Sequence, residues 1–257
     1  MRTVLCIAFA CSFTAGGVAQ EHVKTIHVFV ALYDNEHQGI VPVPAALGNG
    51  EDPANNLYWG ALYGMKTFLK KSTDWTLVKT VKSPTETVLE RIVLEHKAGA
   101  AYLIADAYRG ARIKEAVTHF LGAAAGNDRV TIEVDEKSLG IRGAADLIVY
   151  VGHNGLMDFD VNTPSPDKDA KPRDVIVLVC KSQPYFQPRL AQLKCRAVLL
   201  TTGFMAPEAY TLEVAVAGWL AGETAEKVRD RAARAYDKYQ KCGRTTARRL
   251  FYVEASR

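Results

Sequence analysis

Two uninterrupted apolar runs constrain the fold of this chain more than any other feature. The segments 146–151 and 174–179 each begin with Asp and are otherwise built from Val, Ile, Leu and Tyr. A strand that is apolar at every position is buried on both faces, as in a parallel sheet that helices cover on both sides. The sequence therefore predicts an α/β fold of three layers, with a mostly parallel sheet and helices on both faces.

Similar strands alternate with helix-like segments along the chain. Further strands are predicted at 25–33, 75–81, 101–105, 130–134 and 196–201. Helices are predicted at 56–72, 85–96, 109–125, 186–193 and 207–221, and over 225–251 with a break at Gly243. Such alternation is typical of a doubly wound sheet, and we predict that residues 20–257 form a single domain.

The N-terminal residues have the pattern of a secretory signal peptide. Arg2 precedes an apolar run from Val4 to Phe13, and small residues extend to Ala19. The run is too short to span a bilayer, which takes about 20 residues. We predict that residues 1–19 are removed and that the mature protein is periplasmic or secreted, with no lipid anchor and no membrane span.

The cysteines and charges limit the chemistry of the mature chain. Cys180, Cys195 and Cys242 remain after residue 19, and an odd number leaves at least one thiol unpaired within the chain. A disulfide between Cys195 and Cys242 is conceivable. No CxxC or HExxH spacing occurs, so we predict neither a metal nor a cofactor. The basic segment 229–249 is typical of a solvated helix face, and we predict no nucleic-acid partner.

A histidine and a cysteine occupy equivalent positions after the two apolar runs. His153 lies two residues after the first run, and Cys180 directly follows the second. If the two strands are parallel neighbours, the imidazole and the thiol emerge at the same edge of the sheet. A thiolate is a nucleophile, and a nearby imidazole both favours the thiolate and carries protons. Separately each residue fits a structural role, but together they predict a catalytic pair.

Two long loops, 34–55 and 155–173, follow strands at the same predicted edge. Open α/β sheets bind ligands beyond the carboxyl ends of their strands, so both loops are candidates to line a site. Asp34 and Asp106 are candidates to orient His153, with helix capping or turn formation as the alternative. We interpret the remaining histidines of the strands and helices as structural or surface residues: His27, His96 and His119.

These motifs resemble the caspase-like fold of the clan CD cysteine peptidases, which include caspases, gingipains, legumain and the CHAT domains. The likeness rests on the strand before His153-Asn154-Gly155, the strand before Cys180-Lys181-Ser182, and the segment 56–69, which looks like the first helix of the family. It covers roughly residues 25–222. In the family the glycine follows the histidine directly, whereas here Asn154 intervenes.

The resemblance implies roles for particular residues. His153 and Cys180 would be the catalytic pair, with backbone N–H groups at Gly155 and Cys180 as oxyanion donors. Substrate contacts would come from the segment after the strand 196–201, at Thr202, Gly203 and Met205.

Three functions are compatible with these observations. The first is an exported cysteine hydrolase, a peptidase acting on a peptide or protein substrate. The second is a non-catalytic caspase-like binding protein of the bacterial envelope that holds a peptide in the same cleft. The third is an α/β protein that binds a small molecule under the loop 34–55. The sequence does not predict the oligomeric state.

Overall fold

The computed structural model describes residues 23–99, 101–168 and 171–254. The predicted signal peptide lies outside these ranges. Within them the strands are β1 (Lys24–Ala31), β2 (Trp75–Thr85), β3 (Val88–His96), β4 (Ala101–Tyr108), β5 (Arg129–Val134), β6 (Lys137–Arg142), β7 (Leu147–Val151), β8 (Asp174–Leu178), β9 (Arg196–Thr201) and β10 (Phe251–Tyr252). The α-helices are α1 (Met65–Lys70), α2 (Ile113–Ala124), α3 (Ser182–Gln192), α4 (Ala209–Leu220), α5 (Ala225–Gln240) and α6 (Arg244–Leu250).

The main sheet has eight strands in the order β10-β9-β8-β7-β1-β4-β3-β2. The five central strands, β9, β8, β7, β1 and β4, run parallel. Antiparallel strands flank them, with β10 on one side and β3 and β2 on the other. The predicted α/β class is confirmed, and the sheet is a mixed one whose centre is parallel.

Helices cover both faces of the sheet, as the apolar strands predict. Ile26 and Val28 of β1 pack on the face that carries α1, α4, α5 and α6. Phe29 and Ala31 point the other way, toward α2 and α3. The hairpin of β5 and β6 covers the outer part of this second face, over β3 and β4. Burial on both sides explains why β1, β7 and β8 have no polar face.

Two predicted helices are wrong in part or in whole. The segment 85–96 is not helical, because most of it forms β3 and pairs with both β2 and β4. The segment 56–72 is helical only over α1. Before α1, the side chain of Asn56 bonds the backbone of Tyr33, Asn49 and Tyr58, and these bonds hold the chain in turns.

The two outer strands of the sheet are irregular or short. β2 pairs with β3 through two shifts of register, one between Leu77 and Lys79 and the other between Lys82 and Thr85. Ser83 has a φ of 45°, in the left-handed region, and Pro84 follows it. The opposite edge, β10, has two residues. No helix among the described residues is long and apolar enough to cross a membrane.

Candidate active site

The register of β7 and β8 places His153 and Cys180 at equivalent positions. Val151 pairs with Leu178, and each of the two candidate residues lies two positions further along its own chain. Neighbouring strands of a sheet are about 4.8 Å apart. β1 lies next to β7 in the sheet. After β1 the chain forms the strands on one side of this pair, and after β7 it forms β8 and β9 on the other side. Ligands of doubly wound sheets bind at such a switch in direction.

The turn after β7 depends on a glycine. Gly152 has a φ of 138°, a conformation that residues other than glycine rarely adopt. A Cβ at this position would lie 2.8 Å from the carbonyl oxygen of Ala31 on β1. The close approach of the two backbones therefore fixes the point at which the chain leaves the sheet, and with it the position of His153, the next residue.

Asn154 connects the histidine loop to the cysteine. Its side chain is fully buried, and Nδ2 donates a hydrogen bond of 2.7 Å to the carbonyl oxygen of Cys180. Its Oδ1 accepts from the N–H of Leu156 at 3.2 Å. Asn154, which separates His153 from Gly155, thus has a structural role, because it joins the His153 loop to the backbone of Cys180.

His153 is buried and hydrogen-bonded at its imidazole. Its exposed fraction is 6%, and Nε2 lies 2.5 Å from Oδ2 of Asp158. The carbonyl oxygen of His153 accepts from the hydroxyl of Tyr150 at 2.9 Å. A carboxylate at Nε2 favours the tautomer with the proton on that nitrogen, which leaves Nδ1 as the basic atom.

Cys180 lies in a sharp connection between β8 and α3. Lys181, the next residue, has a φ of 50° and donates its N–H to the carbonyl oxygen of Gly203 at 2.8 Å. The buried Ser182 then starts α3 and is held by Thr201, whose Oγ1 accepts from the Ser182 N–H at 3.0 Å. The thiol is therefore placed just before the first turn of an 11-residue helix, where the helix dipole favours negative charge.

The backbone of Met205 contacts the thiol directly. Its N–H lies 3.4 Å from Sγ of Cys180, and its carbonyl oxygen lies 3.5 Å from the same sulfur. Met205 packs on the side of the sheet that carries α4 and α5. The thiol therefore lies against a residue of that side.

The other predicted site residues have distinct surroundings. The N–H of Gly155 donates to the carbonyl oxygen of His153 at 3.1 Å, so this predicted oxyanion donor is engaged within its own turn. Gly203 accepts the Lys181 N–H and supports the connection after Cys180. Thr202 is exposed and bonds the carbonyl oxygens of Arg249 and Leu250. Of the three predicted substrate contacts, Met205 is the one that the structure brings against the thiol.

Neither Asp34 nor Asp106 is the partner of His153. Asp34 accepts from the N–H groups of Glu36 and His37, which is the turn-forming alternative. Asp106 is fully buried within β4 rather than at the end of a strand, where it bonds Arg91 and His27. The carboxylate that contacts the imidazole is instead that of Asp158, five residues after His153. The sequence offered one signal for this contact, which is that a carboxylate occurs in the loop directly after the histidine. Hydrophobic periodicity could not identify that carboxylate as the partner of His153.

Cys180, Cys195 and Cys242, the cysteines within the described ranges, are all free, so the disulfide between Cys195 and Cys242 is not formed. The physical reason is their placement, because Cys195 packs on the face of α2 and α3, whereas Cys242 packs on the opposite face of the sheet. Burial raises the pKa of the Cys195 thiol to about 12. Cys195 therefore stays protonated near neutral pH.

The remaining histidines have structural or surface positions. His27 is fully buried in β1, and desolvation lowers its pKa. His119 contacts the hydroxyl of Tyr108 at 3.2 Å, and His96 packs on the ring of Trp75. Within 23–99, 101–168 and 171–254, no group of three or more His, Cys, Asp or Glu residues could hold a metal ion.

The fold and the site together define an α/β protein with a thiol and an imidazole at one edge of its sheet. Comparison of the chain with protein-family models, with curated proteins and with solved structures finds no match.

Proposed function

We propose that this protein is a cysteine hydrolase of the caspase-like type, a peptidase in which Cys180 is the nucleophile and His153 the general base and acid. The observation that carries the proposal is the equivalent placement of the two residues beyond Val151 and Leu178, on adjacent parallel strands. The hydrogen bond from Asn154 to the Cys180 carbonyl supports it, because that bond holds the two segments together at the catalytic edge.

Asp158 completes the proposed site. Its carboxylate at Nε2 leaves Nδ1 of His153 to take the proton of the thiol, and it stabilises the imidazolium that results. The thiolate attacks the carbonyl carbon of a peptide bond, and the π electrons move to the carbonyl oxygen. Collapse of this intermediate breaks the C–N bond while the imidazolium protonates the departing amine. Water, deprotonated by the same imidazole, then releases the acyl group from the sulfur.

The oxyanion of this intermediate needs backbone donors. The N–H of Cys180 is the first of the two proposed donors. The N–H of Gly155 joins it only if its bond to the His153 carbonyl opens. Met205 lies over the thiol, so the segment 202–205 is the proposed wall of the substrate cleft.

One observation favours the second function, a non-catalytic protein that binds a peptide at the same edge. The thiol is within hydrogen-bond distance of the Met205 carbonyl oxygen, an acceptor that does not remove its proton. Hydrolysis requires the thiol to turn from Met205 toward Nδ1 of His153. A binding protein requires no such movement.

Site-resolved alkylation separates the two functions. The folded mature protein is treated with iodoacetamide from pH 5 to pH 9, and mass spectrometry gives the rate at each cysteine. A catalytic pair predicts that Cys180 reacts at pH 6–7 at least about tenfold faster than Cys195, whose raised pKa makes it the internal reference. His153→Ala should remove most of this advantage.

His96→Ala is the matched control. His96 ends β3, which places it at the opposite edge of the sheet from Cys180, so this variant should keep the reactivity of Cys180. Slow labelling of Cys180 in the wild type, or equal rates in the two histidine variants, would contradict the hydrolase and favour the binding protein.

A further inference from the structure

The exposed apolar side chains of this protein lie at one edge of the sheet. Among the described residues, the large apolar side chains that are exposed are those of Val41, Leu62, Met157 and Phe204. The first two lie in the segment between β1 and α1, the third in the loop after β7 and the fourth in the segment after β9. Because β1, β7, β8 and β9 run parallel, all four residues follow carboxyl ends of strands, as the proposed catalytic pair does.

We call these four residues the apolar rim. Single exposed apolar residues are common on protein surfaces and need no explanation. A group of them confined to one edge is different, because exposed apolar residues that occur together mark a surface that binds something. The position of the apolar rim at the edge of the proposed active site indicates what that surface binds.

Two residues of the apolar rim lie beside the carboxylate that contacts the imidazole. Met157 directly precedes this residue, Asp158. Gly39, two residues before Val41, lies so close to it that a Cβ on Gly39 would be 3.0 Å from Oδ1 of Asp158. The hydroxyl of Tyr33 donates to the carbonyl oxygen of Val41, which ties this part of the loop to the chain just after β1. Met157 and Val41 therefore belong to the imidazole side of the site.

The other two residues belong to the side of the thiol. Phe204 directly precedes Met205, whose N–H lies 3.4 Å from the thiol sulfur. Leu62 is followed by Tyr63, whose carbonyl oxygen accepts the N–H of Ala209 at 3.0 Å. This bond joins the segment that contains Leu62 to the start of α4, four residues after Met205. The apolar rim thus has members on both sides of the proposed catalytic pair.

We propose that the apolar rim binds a peptide substrate whose side chains are apolar on both sides of the scissile bond. This inference rests on the proposed function, because it names the substrate class of the same site. Contact between such a peptide and the rim removes apolar surface of both from water, which favours binding. An extended peptide suits the arrangement better than a compact ligand, because its side chains can reach both parts of the rim while a carbonyl group lies at the thiol.

The binding of two synthetic peptides tests the proposal. The mature protein carries Cys180→Ser, which removes the thiolate so that binding is measured without hydrolysis. Two fluorescein-labelled peptides of the same length and with the same charged ends are compared by fluorescence anisotropy. The first contains leucine, valine and phenylalanine, and the second has serine and asparagine in their place. The apolar peptide should bind at least about tenfold more tightly.

Phe204→Ser and Met157→Ser test the two sides of the rim separately. Both side chains are exposed, so the core stays intact, and each change should weaken binding of the apolar peptide at least about threefold. Val81→Ser is the matched control. Val81 is a partly buried residue of β2, which four strands separate from β8, so this variant should change the affinity less than about twofold.

Equal affinity for the two peptides, or equal effects of Val81→Ser and Phe204→Ser, overturns the proposal. Sedimentation velocity of the same protein provides a further check. A dimer that Phe204→Ser dissociates would assign the rim to a second copy of this chain and would also overturn the proposal.

Cleavage of the two peptides by the wild type distinguishes this proposal from the proposed function. Preferential binding of the apolar peptide without cleavage supports the role of the rim and contradicts the hydrolase. Cleavage of both peptides at equal rates supports the hydrolase and overturns the role of the rim.

Discussion

At the scale of single residues, His153 and Cys180 owe their surroundings to side chains that lie between them in sequence. Asp158 holds the imidazole and Asn154 holds the backbone beside the thiol. Both lie in the loop that follows β7. The chemistry proposed here therefore depends on this loop as much as on the two strands that end beside it.

Asp158→Asn tests the orienting carboxylate. The amide keeps the size of the side chain but removes the negative charge that stabilises the imidazolium, so the alkylation rate of Cys180 at pH 7 should fall several-fold. Asp160→Asn is the control, since its side chain is 83% exposed and bonds Arg189 instead of His153. The measurement is the same site-resolved labelling, and equal rates in the two variants would remove Asp158 from the site.

Asn154→Ala tests the connection between the two loops. The substitution removes the bond to the Cys180 carbonyl and leaves that acceptor and the N–H of Leu156 without their partner. We expect the free energy of unfolding to fall by about 1–3 kcal/mol, measured by denaturant titration. Asn162→Ala, in the irregular part of the same loop, serves as a control and should change stability by less than about 0.5 kcal/mol.

At the scale of elements, the sequence identifies the buried parallel strands well and the outer part of the sheet poorly. β7, β8 and β9 were predictable because each contains an unbroken apolar run, at 147–151, 175–178 and 197–200. β3 was assigned to a helix because Val88, Leu89, Ile92 and Val93 also fit helical spacing. Pairing with two neighbouring strands outweighs that local pattern, and a single sequence does not contain the pairing.

The pairing of β3 with β4 also determines a response to acid. Arg91 and Asp106 are register partners and form a two-pronged ion pair at 2.6 and 2.7 Å. Burial alone would raise the pKa of Asp106, but hydrogen bonds from Arg91 and His27 lower it to about 2.

Because the pKa of Asp106 is lowered on folding, its contribution is present above the unfolded pKa of about 4 and is lost as the pH falls through about 2. Over that range the unfolded chain binds a proton that the folded chain does not, so acid favours unfolding by about 2 kcal/mol. Unfolding free energies measured from pH 7 to pH 2 should show this loss. Asp106→Asn should be less stable at pH 7 and should lose less on acidification; an unchanged slope would contradict the assignment.

At the scale of the whole molecule, the two layers of helices have different tasks. The layer of α2 and α3 contains an aromatic cluster in which Phe120 contacts the rings of Phe29, Tyr150 and Phe186. Tyr150 donates its hydroxyl to the His153 carbonyl. This layer therefore holds the backbone of His153, while the opposite layer includes Met205, whose backbone contacts the thiol.

Phe120→Ala tests this support. Phe120 is fully buried, and the cavity left by its ring should lower the free energy of unfolding by about 3–5 kcal/mol. Phe204→Ala is the control, because Phe204 is 68% exposed and its ring lies 4.5 Å from the ammonium group of Lys181, so the loss should be below about 1 kcal/mol. Thermal or denaturant unfolding gives both values, and similar losses would contradict the supporting role of the cluster.

The basic segment 229–249 shows what sequence alone leaves open at this scale. Its charges do not form a single solvated face. Arg231, Arg234 and Lys238 line a cleft against α1 and α4, whereas Arg229 and Arg248 line a second pocket, which lies beside α6 and β10 on the other side of α5. The direction in which each side chain points follows from the packing of α5, and the spacing of charges does not reveal which neighbours it meets.

The irregular outer strands described above also bear on aggregation. A straight, exposed edge strand is a template on which another chain can add its own strand. In β2, the shifts of register and the residues Ser83 and Pro84 interrupt the row of backbone donors and acceptors. At the other edge, β10 has too few residues to form such a row. We therefore expect the folded protein to resist growth into cross-β fibrils even though its interior strands are among the most apolar segments of the chain.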